Sequence, residues 1–233
     1  MNKKNKLMSL SFAAAFFLLF FSYHPALQAA EFPSKPITVI IPIEAGGDGD
    51  ILTRPWMEKA SALLGKPLIP VNKPGAGLTI GYREIYNAKP DGYTIGIANP
   101  TIVTARLQGF FPYDYRDFTL LGNFVSLYPV LLASKKTKEP FKNLNEAVSA
   151  AKAHPGKVSL ATTAVGGIWW TAGVLLQKEL GLDLNLVPQE GSATFVITQL
   201  AGGHMDLGIT GASSSIPQIE AGNLQPIANG RRR

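Results

Sequence analysis

Apolar residues in this chain fall into short unbroken runs, separated by stretches where they recur at helical spacing. "PITVIIP" (36–42) is continuous and rich in β-branched residues, the pattern of a strand buried on both faces. "ILTRPWMEKASALLG" (51–65) is periodic and stops at Gly65, and Pro55 implies a helix that starts late, near Arg54, or kinks. "KPLIPV" (66–71) predicts a second strand, "NKPGAG" (72–77) a loop and "LTIGYREIYNAK" (78–89) a helix. "PDG" (90–92) is a turn signal, and "YTIGIAN" (93–99) predicts a third strand. This β-α-β-α-β order implies parallel strands joined by right-handed crossovers. "FTLLGNF" (118–124) and "PVLLAS" (129–134) predict two more strands. The alternation then restarts: a helix over 143–154 capped by Asn143, a strand 158–163, a helix 168–181, a strand 184–189, a helix 192–203 and a strand 205–211. A short helix near 215–222 and a final strand 224–229 complete the run. The fold class is therefore α/β, in two units of similar design that meet near 123–129.

In open parallel sheets a ligand sits beyond the carboxyl ends of the strands. Two such units facing each other give a cleft lined by strand-to-helix loops. Three loops stand at those places: 43–50 within "PIEAGGDGD", "ANPT" (98–101) and "TTAVGG" (162–167). Each serves equally well as a tight connection or as a cradle of main-chain N–H groups for a small anion. Their recurrence at similar places favours a binding cleft.

Composition changes the picture in two ways. Residues 1–30 open with three lysines, continue as the uncharged run "LMSLSFAAAFFLLFFS" and end in "ALQAA", the pattern of a cleaved secretory signal near Ala29 or Ala30. The apolar run is shorter than the roughly 20 residues of a membrane span. The formal charge of +6 comes from those lysines and from Arg231, Arg232 and Arg233, so the body between them is neutral. A neutral body argues against a nucleic-acid surface. There is no cysteine, which excludes a lipid-anchored lipoprotein, a disulfide scaffold and thiolate zinc.

Other chemistries find little support. Gly47 and Gly49 are followed by no lysine that could reach a phosphate, and a dinucleotide pattern begun at Gly47 ends on Leu52. Glu44, Asp48 and Asp50 lack the spacing of a calcium loop. His154 and His204 lie in no nucleophile motif and read as solvated residues at a helix end and a turn, and "GASSS" (211–215) is no nucleophile elbow. No cofactor and no metal are expected, and no catalytic residues.

Several segments together resemble a known family. "FPSKPITVIIPIEAGGDGDILTR", "VNKPGAG", "AKPDGYTIGIAN", "FPYDYRDFTLLG", "AKAHPGKVSLATT", "GSATFVITQLAGGHMDLGIT" and "PQIEAGNLQPIA" resemble the Bug family, the periplasmic solute-binding receptors of tripartite tricarboxylate transporters. The resemblance implies a type II periplasmic binding protein with two α/β domains around a ligand cleft. It implies a small organic acid as ligand, membrane transporter components as partners, a periplasmic location, a monomer and no enzymatic activity. A ligand carboxylate would be held by main-chain groups of two loops. Carried over, the ligand-binding positions are Ile43, Ala45, Gly46, Gly47 and Asp48 in the first loop, and Thr162, Thr163, Ala164, Gly166 and Gly167 in the second. Asn99, Thr101, Gln189 and Ser192 would contact the rest of the ligand.

This chain departs from the family pattern in ways that bear on the ligand. The first loop of the family usually reads Pro-Phe-x-x-Gly-Gly-Gly-Ser/Thr-Asp, whereas Ile43 stands here for the aromatic residue and Asp48 for a glycine. Asp50 is expected to cap the following helix. Asp48 either faces solvent or selects a ligand with an amine or hydroxyl, and Glu44 adds a further negative charge. Gln189 and Glu190 stand where Tyr-Lys is common. Of Trp169 and Trp170, at least one is expected in the core. The domains expected are 1–30 as signal, 31–124 and 125–222 as the two α/β domains, and 223–233 as a strand returning to the first domain with a truncated tail. An exported enzyme, a sensor that docks on a signalling protein and a non-functional truncated relative are the rival readings.

Overall fold

Ile37, Val39, Ile40 and Ile41 are each at most 4% exposed, the burial that a strand covered on both faces requires. They form β1 (Ile37–Ile41) at the centre of a three-stranded sheet, with β2 (Leu68–Asn72) and β3 (Thr94–Gly96) parallel to it on either side. The computed structural model describes residues 31–230. The expected signal (1–30) and the arginine tail (231–233) lie outside the described residues.

The crossovers are α1 (Asp48–Leu64) and α2 (Thr79–Asn87), and α3 (Thr101–Leu107) follows β3. The helix α1 begins at Asp48 and runs through Pro55, so the expected late start near Arg54 is corrected. Its first turn closes upstream, with the Ile51 N–H donating to Gly47 O at 3.0 Å. Pro55 therefore removes an N–H within an established helix. The helix ends on Gly65 in the left-handed conformation, as expected. No helix was expected over 101–107; its buried face, Thr101, Ile102 and Ala105, belongs with Tyr82 and Phe111.

The second sheet has the order β6-β5-β7-β4-β8, formed by β4 (Pro129–Ser134), β5 (Ser159–Thr163), β6 (Asn185–Gln189), β7 (Leu207–Gly211) and β8 (Leu224–Asn229). β5 is parallel to β6 and β7, whereas β4 runs antiparallel to both β7 and β8. Four helices accompany it: α4 (Leu144–Ala153), α5 (Ile168–Leu180), α6 (Ala193–Gly202) and α7 (Ala212–Glu220). Asn143 caps α4 as expected, accepting from the Glu146 N–H at 3.0 Å. His154 and His204 are both exposed.

Two strand expectations fail. Residues 118–124 form no strand, because the aromatic side chains of that run pack on other rings: Phe118 lies edge-on to Tyr86, and Phe124 lies against Trp56 at 5.5 Å. The final strand does not return to the first sheet. β8 pairs with β4, and Leu224 packs with Leu132 and Leu200 in the second core. From Lys35 onward the chain nevertheless clusters as one unit, for reasons that lie in the bridges between the two sheets.

A separate and larger cluster on the second sheet includes Leu160, fully buried on β5 and close to Gly173 of α5. Replacing Leu160 by Ala is expected to destabilise the protein by about 2–5 kcal/mol in urea unfolding, since the strand and helix cannot both collapse onto the space left.

Candidate functional site

The parallel strands of each sheet send their carboxyl ends into loops on one side. In the first sheet these are the loops after β2, β1 and β3; in the second they follow β6, β5 and β7, in that spatial order in each case. Contacts join the two sets. A Cβ on Gly47 would stand 3.3 Å from Ser192 Cβ, and one on Gly191 would stand 3.4 Å from Glu44 Oε1. The Thr104 hydroxyl, on α3, donates to Gly166 O at 2.5 Å. Asp48 reaches the start of α7. The loop after β5 lies between the two that touch residues 44–48, so the N-terminus of α1 faces all three.

The first loop is pinned from beneath by Asp50. Its carboxylate accepts from the Gly46 N–H at 3.0 Å, from Arg54 at 2.8 and 3.1 Å and from the Asn72 amide at 3.0 Å. The same amide donates to Ile43 O at 2.8 Å. Asp50 is thus the third residue inside α1 and not its cap; the capping position is Gly47, which has no side chain to offer. Burial pushes the Asp50 carboxyl up, but the hydrogen bonds from Arg54, Gly46 and Asn72 outweigh that and hold it below its ordinary value. Ile43 fills the space under the turn, where a Cβ on Gly47 would come within 2.7 Å of its Cγ2 and a Cβ on Gly49 would overlap its Cδ1. As Ile43 is placed, a side chain at Gly47 or Gly49 would have to displace it.

Asp48 is 4% exposed and serves the opposite sheet. One of its oxygens accepts from the Gly211 N–H at 3.0 Å. The other accepts from the Ser213 hydroxyl at 2.5 Å and the Ser214 N–H at 3.0 Å. These are the bonds a capping side chain would make, supplied to α7 from α1, because Gly211 at the capping position has none. A Cβ on Gly211 would come within 2.5 Å of the carboxylate, so only glycine admits it. Asp48 therefore neither faces solvent nor stands free for a ligand.

The second loop is built differently. Thr162 is fully buried and its hydroxyl donates to Thr163 O, while Ala164 O accepts from the Gly167 N–H at 2.8 Å. Gly167 caps α5 without a side chain, and the first N–H that bonds back into the helix is that of Thr171. The earlier N–H groups are left over by helix geometry. Thr163 is 8% exposed, and its hydroxyl has no partner among the described residues. It lies at this helix start, 2.6 Å from where a Cβ on Gly167 would be. The core takes Trp169, whereas Trp170 is half-buried.

Ala45 and Gly46 are exposed at the tip of the first loop. Asn99 Oδ1 accepts from the Thr101 N–H at 2.9 Å and from the Tyr82 hydroxyl at 3.3 Å; burial pushes the Tyr82 phenol well up, so it stays a donor. Thr101 is buried at the start of α3. Ser192 caps α6, and the half-buried Gln189 donates to Val187 O at 3.2 Å. Sequence reasoning missed Thr104, Ser213 and Ser214. The first went with the unrecognised helix α3, and no local pattern announces that two serines will share a carboxylate from residue 48. Among the described residues no cluster of His, Asp or Glu could hold a metal ion, and no helix is long and apolar enough to cross a membrane.

The sequence from residue 52 to 233 matches the profile of a family described as the tripartite tricarboxylate transporter family receptor. The chain belongs to this family. The matched span starts just after the glycine loop. Protein BugT of Bordetella pertussis is 28% identical over 205 residues, covering 87% of this chain and 62% of BugT, so the chain spans less than two thirds of that relative. A solved structure described as a periplasmic transporter is 34% identical with a TM-score of 0.77, over 85% of this chain and 66% of the other. The R. palustris protein Rpa4515 with adipate is 26% identical with a TM-score of 0.78, over 85% and 67%. The fold is the mixed α/β fold of periplasmic binding proteins.

The Asp50 network gives a pH-dependent expectation. Because the folded carboxyl titrates below its ordinary value of 3.8, its contribution to stability is complete above that value and is lost as pH falls through the folded one. Asp50→Asn is expected to cost about 1–3 kcal/mol at neutral pH in urea unfolding. The gap to the wild type should close as the titration is carried below the ordinary carboxylate range.

Proposed function

We propose that this chain is a periplasmic solute-binding receptor that captures a small organic acid and delivers it to the membrane components of a tripartite tricarboxylate-type transporter. One observation carries the reading: α1 and α5 start at the carboxyl ends of β1 and β5, on facing sets of loops, and neither has a side-chain cap. Helix starts of this kind hold a carboxylate through main-chain N–H groups and the helix dipole. The unpartnered Thr163 hydroxyl supplies a further polar group there. That Rpa4515 was solved with adipate supports an organic acid as the class of ligand.

In this reading residues 31–124 and 125–222 are two domains, and the ligand lies between them. The loops 43–50 and 162–167 take the carboxylate, with Gly46, Gly47, Ala164, Gly166 and Gly167 shaping the main chain. Ile43, Ala45, Asn99, Thr101, Gln189 and Ser192 line the remaining volume. Relative motion of the two domains admits and releases the ligand. Residues 1–30 direct export, and the partners in the membrane are separate chains.

A thermal-shift screen of the purified protein against short carboxylic acids and the corresponding amides tests this. A ligand that binds only the folded state raises the melting temperature, with about 2.7 kcal/mol of added stability at a hundredfold excess over Kd. Acids should shift the melt and amides should not; equal shifts, or none with any acid, contradict the reading. Thr163→Val is expected to weaken acid binding about fivefold to tenfold while leaving the ligand-free melt unchanged or slightly raised, since it removes a buried hydroxyl without a partner.

A further inference from the structure

A buried carboxylate is ordinarily balanced by a cation, but Asp48 is balanced by a helix. Its partners are the Gly211 and Ser214 N–H groups and the Ser213 hydroxyl at the start of α7, a helix of 9 residues. Of the helix starts that follow the parallel strands, α6 is capped by Ser192 and α7 by Asp48, and the first N–H of α3 is taken by Asn99; α1, α2 and α5 have no side-chain cap, and of these α1 and α5 follow the two glycine loops. Three cations on the elements around the first sheet are also engaged. Arg54 is paired with Asp50, Lys73 with Glu84 and Arg106 with Asp114. Glu44 is half-buried beside Gly191 and has no ion-pair partner among the described residues.

We propose that Asp48 is a specificity-determining residue that acts as a carboxylate built into the chain. It fills the start of α7, holds the two sets of loops together before a ligand arrives, and restricts the cleft to ligands with a single carboxylate whose other end is neutral or cationic. This rests on the receptor reading above. A first ligand carboxylate has the starts of α1 and α5. A second would lose its hydration and would lie near Glu44 and Asp48, which carry the same sign.

The test pairs two six-carbon acids, hexanoate and adipate, in calorimetric titrations of the wild type, Asp48→Asn and Ser213→Ala. Small-angle scattering of each protein without ligand accompanies them. Wild type should bind hexanoate at least about tenfold more tightly than adipate, and Asp48→Asn should narrow that ratio about fivefold. Asp48→Asn should also enlarge the ligand-free radius of gyration. Ser213→Ala removes one donor only and should move both readouts part of the way, so the test survives a poorly folding Asp48 variant. Adipate binding as tightly as hexanoate to the wild type overturns the proposal, as does a ratio that neither substitution changes or a radius that neither enlarges. If both acids fail to bind the folded wild type while the radius still responds to Asp48→Asn, the receptor reading falls and takes the ligand restriction with it. The bridge between the sheets alone would then stand.

Discussion

Two helices that point their N-termini at one another repel, because each carries a partial positive charge at that end. In this protein α1 and α7 meet in that way, and the carboxylate of Asp48 lies between them. It is the first residue of one helix and accepts the N–H groups at the start of the other. Much else follows from that placement. Gly211 has to lack a side chain, Ser213 has a buried partner, and the two sheets share one contact surface instead of standing apart. Asp50 does the complementary work on its own side by tying Gly46, Arg54 and Asn72 to the same turn. Two of the three carboxylates of the glycine loop, Asp48 and Asp50, thus hold it in place, although they answer to different sheets.

What the loops leave over is as informative as what they satisfy. The starts of α1 and α5 keep N–H groups that no side chain caps, as does that of α2, whereas α4, α6 and α7 are capped and the first N–H of α3 is taken by Asn99. Of the uncapped three, α1 and α5 are the two that directly follow a glycine loop at the carboxyl end of a central strand. Arg54, Lys73 and Arg106 are held by Asp50, Glu84 and Asp114, so at these helix starts the positive potential comes from the main chain.

Much of this was legible in the sequence. The run 36–42 announced a central strand because both its faces are buried, and Gly65 and Asn143 marked helix ends through local backbone chemistry. The loops 43–50 and 162–167 were found because glycine clusters directly after buried strands. Errors arose where a tertiary contact overrode a local signal. Phe118 and Phe124 looked like strand residues but pack on rings, and 224–229 finds its partner in β4 through antiparallel pairing that no crossover pattern reveals. Asp48 was singled out as unusual, yet its role depended on residues 211–214, more than 160 positions away.

We propose that main-chain N–H groups at two helix starts hold one carboxylate while Asp48 occupies a third. A crystal structure of the protein with bound hexanoate tests it most directly. The expected result places the carboxylate oxygens about 2.7–3.2 Å from N–H groups among residues 46–50 and 164–170, with Asp48 still bonded to Ser213 and Ser214. A carboxylate seated at the start of α7 with Asp48 displaced, or an acid bound away from both loops, would contradict it.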